Sequence, residues 1–65
     1  MKFLLEIDCD NAAFEHGGQG EVARILKETA LALKNRGCLE DMARFGSVIV
    51  LHDYNGNTVG NARVE

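Results

Sequence analysis

SVIVLHDYNGNTVGNARVE, residues 47–65, is the stretch whose reading decides the fold. Its first half, 47–54, is an apolar run rich in β-branched residues, which suits a strand. Asn55-Gly56 then predicts a two-residue type I′ turn, because that turn needs positive φ at both central positions. Residues 57–65 return as a second strand. A two-residue turn fixes the register. Tyr54 faces Asn57, His52 faces Val59, Val50 faces Asn61 and Val48 faces Arg63, while Leu51 meets Gly60 and Ile49 meets Ala62. The Ile49, Leu51, Gly60 and Ala62 side is the better inner face, since Gly60 and Ala62 let a helix approach closely. The outer face then carries Val48, Val50, Val59 and Tyr54, with Leu4 beside them. A one-residue bulge would exchange part of this assignment.

Working outward, residues 2–8 (KFLLEID) alternate with period two and predict a first strand. Asn11 suits the cap of a short turn over 11–15, which Gly17 and Gly18 end. Residues 21–36 predict the main helix, with Val22, Ile25, Leu26, Thr29, Ala30 and Leu33 on one side at 100° per residue. Glu21 at its start and Lys34 and Arg36 at its end suit the helix dipole, and Gly37 stops it. Leu31 is the misfit, pointing away from the apolar stripe. Residues 38–45 space Leu39, Met42 and Phe45 three apart, which fits one or two helical turns on the core or an irregular loop. The order is β-α-β-β, an α+β fold of two layers with one main helix on a three-stranded, mainly antiparallel sheet. The third strand is expected in the middle. The whole of 1–65 reads as one small domain.

A chain of 65 residues buries only about 60% of its unfolded surface and is marginal without a staple or a second copy. The two cysteines, Cys9 and Cys38, come with no secretory signal, so both read as free thiols in a reducing cytoplasm. No segment approaches the roughly 20 apolar residues of a membrane span. The net charge of −3 argues against a nucleic-acid binder, which should be basic. Charge is uneven: residues 1–20 set Glu6, Asp8, Asp10 and Glu15 against Lys2, whereas 21–36 set Arg24, Lys27, Lys34 and Arg36 against Glu21 and Glu28.

Gly18-Gln19-Gly20-Glu21-Val22-Ala23 reads G-x-G-x-x-A, which can mark a phosphate-cradling turn. The dinucleotide form needs those glycines directly after a strand, and about ten residues intervene here. Glu21 would also set a carboxylate where the phosphate belongs. The stretch therefore reads as a flexible joint. Asp8-x-Asp10 after an apolar strand resembles the first motif of haloacid-dehalogenase-type phosphotransferases, but 65 residues cannot supply the rest of such an enzyme. Asp8, Asp10 and Asn11 offer oxygens to a hard cation, yet the calcium-loop pattern fails at the next ligand. Cys9, His16, Cys38 and His52 are not spaced as a zinc knuckle, nor is a third orienting group evident for Cys–His catalysis. The expectation is a protein that is not an enzyme and uses no cofactor or metal.

Three stretches carry a resemblance: IDCDNAAF (7–14), EVARIL (21–26) and D-x-N-G-N-x-V-G at Asp53, Asn55, Gly56, Asn57, Val59 and Gly60. Together they resemble a set of very short hypothetical proteins from phages and bacterial genomes, over nearly the whole chain. The resemblance implies a small accessory protein, borne by a phage or prophage, that acts by binding something the host makes. The expected contact surface, for a homodimer or a protein partner, is Leu4, Leu31, Val48, Val50, Tyr54 and Val59. The alternative is a small-ligand or nucleotide binder using the acidic, glycine-rich loop over 8–21, through Asp8, Asp10, Gly18 and Gly20.

Overall fold

The computed structural model describes all residues, Met1–Glu65. In chain order the elements are β1 (Phe3–Ile7), a 3-10 turn (Ala12–Phe14), α1 (Gln19–Lys34), α2 (Leu39–Phe45), β2 (Val48–His52) and β3 (Thr58–Val64). The sheet order is β1-β3-β2, antiparallel throughout, so β3 lies in the middle. This is the α+β, two-layer arrangement expected, with α2 in place over 39–45. Both helices lie on one face, α1 against β2 and α2 against β3, and the 3-10 turn packs on α1.

The hairpin differs from expectation in a specific way. Gly56 has φ +85°, but Asn55 does not take positive φ, so the turn is not type I′. Instead three residues, Tyr54–Gly56, span the gap between Asp53 and Asn57. The Asp53 N–H donates to the Asn57 carbonyl at 2.9 Å, and the Gly56 N–H to the Asp53 carbonyl at 3.0 Å. The cause is the Asp53 side chain. Its Oδ1 accepts from the N–H of Asn55 and of Asn57, each at 2.9 Å, an Asx-type turn that competes with the mirror-image one.

A three-residue loop shifts the pairing by one residue, and a bulge shifts it back. Pairing runs His52 with Thr58, then Leu51 with Gly60, so Val59 is the extra residue. Beyond the bulge the expected register returns: Val50 with Asn61, Ile49 with Ala62, Val48 with Arg63. The expected pairs Tyr54/Asn57 and His52/Val59 do not form. Val59 itself is a correction. It turns into the core and is only 7% exposed, instead of facing outward. Bulges re-aim a side chain in this way.

Ala13, Phe14, Ile25, Met42, Ile49, Leu51, Val59 and Ala62 form the core. Helix α1 starts two residues before the expected position because Gly18, at φ +54°, opens it. Its buried stripe is rotated from the expected one. Ile25 and Thr29 are buried and Val22, Ala32 and Leu33 are half-buried, while Leu26 and Ala30 are exposed. Thr29 is tolerated inside because its hydroxyl donates to the Ile25 carbonyl at 2.7 Å. The molecule is drawn out to 38 × 18 × 18 Å, with a Cα radius of gyration of 12.4 Å. A compact chain of this length would have about 11 Å.

Candidate functional site

Residues 7–14, 21–26 and 53–60 meet at the hairpin end. Asn11 accepts at Oδ1 from the Ala13 N–H at 2.8 Å, capping the 3-10 turn as expected. Its amide nitrogen donates to Asp53 Oδ2, also at 2.8 Å. The Asn57 side chain donates to the same oxygen at 3.1 Å. The Asp8 N–H reaches the Val59 carbonyl at 2.7 Å. From α1, Glu21 Oε2 accepts from the Tyr54 N–H at 2.8 Å. Asp53 is thus a buried carboxylate, 4% exposed, with donors on both oxygens. Such pairing is what a buried charge needs.

The electrostatics follow from these bonds. Burial alone would raise the Asp53 carboxyl, but the donors from Asn57, Asn11 and Asn55 outweigh it and hold the group below the usual range. Glu21 is lowered chiefly by its bond to Arg24, against desolvation, with the Tyr54 N–H assisting. Arg24 is raised mainly by Glu21. It bonds Glu21 through Nε and Nη2, each at 2.8 Å, Glu28 at 2.7 Å, and the His52 carbonyl at 3.1 Å. Helix and hairpin are therefore stitched together by charge-assisted bonds. Sequence reasoning missed Asp53 and the Glu21–Tyr54 link. The signal was Asp53 two residues before Asn55 and four before Asn57, the spacing of an Asx turn.

The loop over 8–21 does not gather its candidate residues. Asp8 and Asp10, with Asn11, Thr58 and Val59, line an open cleft of about 230 Å³. Gly18 and Gly20 lie elsewhere. Gly18 is the residue before α1, where a Cβ would come within 2.7 Å of the Phe14 carbonyl oxygen. Gly20 sits in the first turn of α1 with open space around it. His16, Gly17 and Gly18 all take positive φ, so the chain reverses there between the 3-10 turn and the helix. Asp8 Oδ1 accepts from the Asp10 N–H at 3.1 Å. No three His, Cys, Asp or Glu side chains cluster as a metal site.

The contact-surface candidates also divide. Val48 and Val50 lie on the outer sheet face, 43% and 48% exposed, and Leu4 is half-buried on the same face. The register puts Leu4, Arg63 and Val48 in one row and Glu6, Asn61 and Val50 in the next. Arg63 and Asn61 therefore run between Leu4 and the two valines. The expected contiguous apolar patch is a correction, because the middle strand is polar. Arg63 bonds Glu6 at 2.6 Å, Asn61 at 2.9 Å and Glu65 at 3.1 Å. Its guanidinium is raised, most strongly by Glu6. Tyr54 stands in the hairpin loop, 62% exposed, and Leu31 on the far side of α1, 65% exposed. Val59, as above, is core.

No protein family, curated protein or solved structure matches this chain. No helix is long and apolar enough to cross a membrane.

Proposed function

We propose that the chain is a small non-enzymatic binding protein of the cytoplasm. It self-associates as a homodimer and engages a protein partner on the side of the sheet that no helix covers. The observation that supports this is the exposure of Val48 and Val50 on a strand whose alternate residues, Ile49 and Leu51, are core. Exposed apolar side chains beside one another on a small protein favour contact with another chain. The likeness of the three stretches to short phage and bacterial proteins points to a host complex, of defence or regulation, as that partner. The test is capture from a bacterial host lysate with the chain and with its Val48→Lys/Val50→Lys variant. Proteins retained by the first and lost by the second, at equal helix content, support the reading. The same set retained by both overturns it.

A second reading rests on the cleft beside Asp8 and Asp10, which has room for a small ligand. Calorimetric titration with nucleotides, and separately with magnesium or calcium ions, tests it. Heat that is lost in Asp8→Asn/Asp10→Asn would favour it over the protein-partner reading.

A further inference from the structure

The chain has five asparagines, Asn11, Asn35, Asn55, Asn57 and Asn61, and only Asn55 is followed by glycine. The weak point of an asparagine is its amide carbon, Cγ. The backbone nitrogen of the next residue can close a five-membered ring onto it. A Cβ on that next residue crowds the approach. Ala12, Arg36, Thr58 and Ala62 each bring one, and Gly56 does not.

Bonding separates the five further. The Asn11 amide is held at both ends, by the Ala13 N–H and by Asp53. Asn57 donates to Asp53 at 3.1 Å, and Asn61 accepts from Arg63 at 2.9 Å. After Asn35, the Arg36 N–H is tied to the Leu33 carbonyl at 3.1 Å. Asn55 is exposed, and of its polar groups only the backbone N–H is bonded, to Asp53 Oδ1 at 2.9 Å. Gly56 is exposed too, and a Cβ built on it would meet nothing within 4 Å. Its nitrogen is therefore approached through open solvent.

We propose that Asn55 is a site of spontaneous deamidation in the folded chain. The Gly56 nitrogen attacks Asn55 Cγ and gives up its proton to solvent. The Cγ–Nδ2 bond breaks, the amide leaves as ammonia, and a succinimide spans positions 55 and 56. Water then opens the ring. Cleavage at the side-chain carbonyl leaves aspartate at 55, and cleavage at the main-chain carbonyl leaves isoaspartate. In sum one water enters and one ammonia departs, with no oxidant, metal or second protein.

The fold slows this step without forbidding it. The Gly56 N–H donates to the Asp53 carbonyl at 3.0 Å, so the turn must open before the nitrogen attacks. Asp53 Oδ1 resists that opening through the N–H groups of Asn55 and Asn57. A hairpin tip opens locally at far less cost than the whole domain. The two products then differ. Aspartate keeps the backbone path. Isoaspartate lengthens it by one carbon inside a three-residue loop, so the donors of Gly56 and Asn57 no longer line up on Asp53. That carboxylate is 4% exposed, and a buried charge deprived of donors is costly. The loop's own chemistry thereby loosens the contact of hairpin with helix and 3-10 turn.

The test incubates the full chain, folded and in concentrated guanidinium chloride, in the same warm neutral buffer. Intact mass and peptide mapping that separates isoaspartate from aspartate follow it. The folded chain should gain about one mass unit, at residue 55 alone, with both products present. Its rate should be about tenfold below that of the unfolded chain. A rate about a hundredfold or more below would mean that only globally unfolded chains react, and would overturn the proposal. So would no gain at residue 55, or an equal gain at the other asparagines. Asn55→Gln, which must close a six-membered ring, should keep its mass, and a gain as fast as the parent's would also overturn it. The isoaspartate form, once separated, should unfold at lower urea than the parent. An equal midpoint would refute the effect assigned to Asp53.

Discussion

Gly60→Ala is the sharpest test of the bulged middle strand. An ideal Cβ at Gly60 lies 1.8 Å from the Glu6 carbonyl oxygen, 2.8 Å from its carbon and 3.2 Å from Ile7 Cα. All three are backbone atoms, so no rotamer change relieves the clash. Ordinary contact begins near 3.4 Å, so β1 and β3 must part by ~1.5 Å. A hydrogen bond of ~2.9 Å opened by that much is broken. The Asp8–Val59 bond, 2.7 Å long, sits at the same place and goes first. Overpacking costs ~1–3 kcal/mol, and each backbone bond lost adds ~1 kcal/mol. About 3 kcal/mol in total is a third or more of what a 65-residue domain holds. With a urea slope of ~1 kcal/mol/M, the midpoint followed by circular dichroism should fall by 2–3 M, or the variant should be unfolded in water. A loss below ~0.5 kcal/mol would refute the bulge and the close approach of the two strands.

The remaining predictions use the same assay. Gly20→Ala meets nothing within 4 Å in the first turn of α1, so it should stabilise by a few tenths to ~1 kcal/mol. A loss of stability there would mean the helix does not begin before Glu21. Ile25→Ala removes the largest fully buried side chain and should cost ~2–4 kcal/mol; a cost under ~1 kcal/mol would place Ile25 outside the core. Val59→Lys should unfold the chain while Val50→Lys leaves helix content unchanged, and the reverse outcome would show the faces assigned the wrong way round. Asp53 and Glu21 are both held low when folded, so they contribute stability above their unfolded values of ~4 and lose it as pH falls through the lower folded ones. The urea midpoint should be level between about pH 7 and 5 and fall below about pH 4. Asp53→Asn should start lower and fall less steeply, and an unaltered slope would remove Asp53 as a source of the acid sensitivity.

How far the sequence carried the fold can be told from single residues. Alternation in 2–8, the β-branched run before Asn55-Gly56, and the glycines at 18 and 37 were enough for strands, hairpin and helix. The middle place of β3 was expected, although a right-handed crossover also allows the first strand beside β2; the structure has the order β1-β3-β2. The turn type was not legible from Asn55-Gly56 alone, because the competing acceptor is a side chain outside the dipeptide, Asp53. The same omission misplaced Val59. Loop length and bulge are two errors of opposite sign, so the pairs from Leu51 onward came out right while the residue between them faced the wrong way. The helix stripe was rotated because β2, under one flank of α1, draws Ala32 inward and leaves Leu26 at the surface. The polar middle of the outer face needed the third strand: only with β1 in place does Arg63 find Glu6.

Residues 7–14, 21–26 and 53–60 come together in one structural knot. Asn11, Glu21, Asp53 and Asn57 spend their polar atoms on each other and on neighbouring backbone. Groups so fully used hold a hairpin to a helix, and they have little left for a partner. The exposed valines of β2, Val48 and Val50, fall outside all three stretches. Two chains with the same three stretches would therefore fold alike while the outer face of β2 changed, and likeness at the knot says little about which partner is bound. Specificity on this reading belongs to residues 48 and 50 and to the Arg63–Asn61 row beside them. A pattern drawn from Asn11, Glu21 and Asp53 would recognise the architecture and leave the partner open.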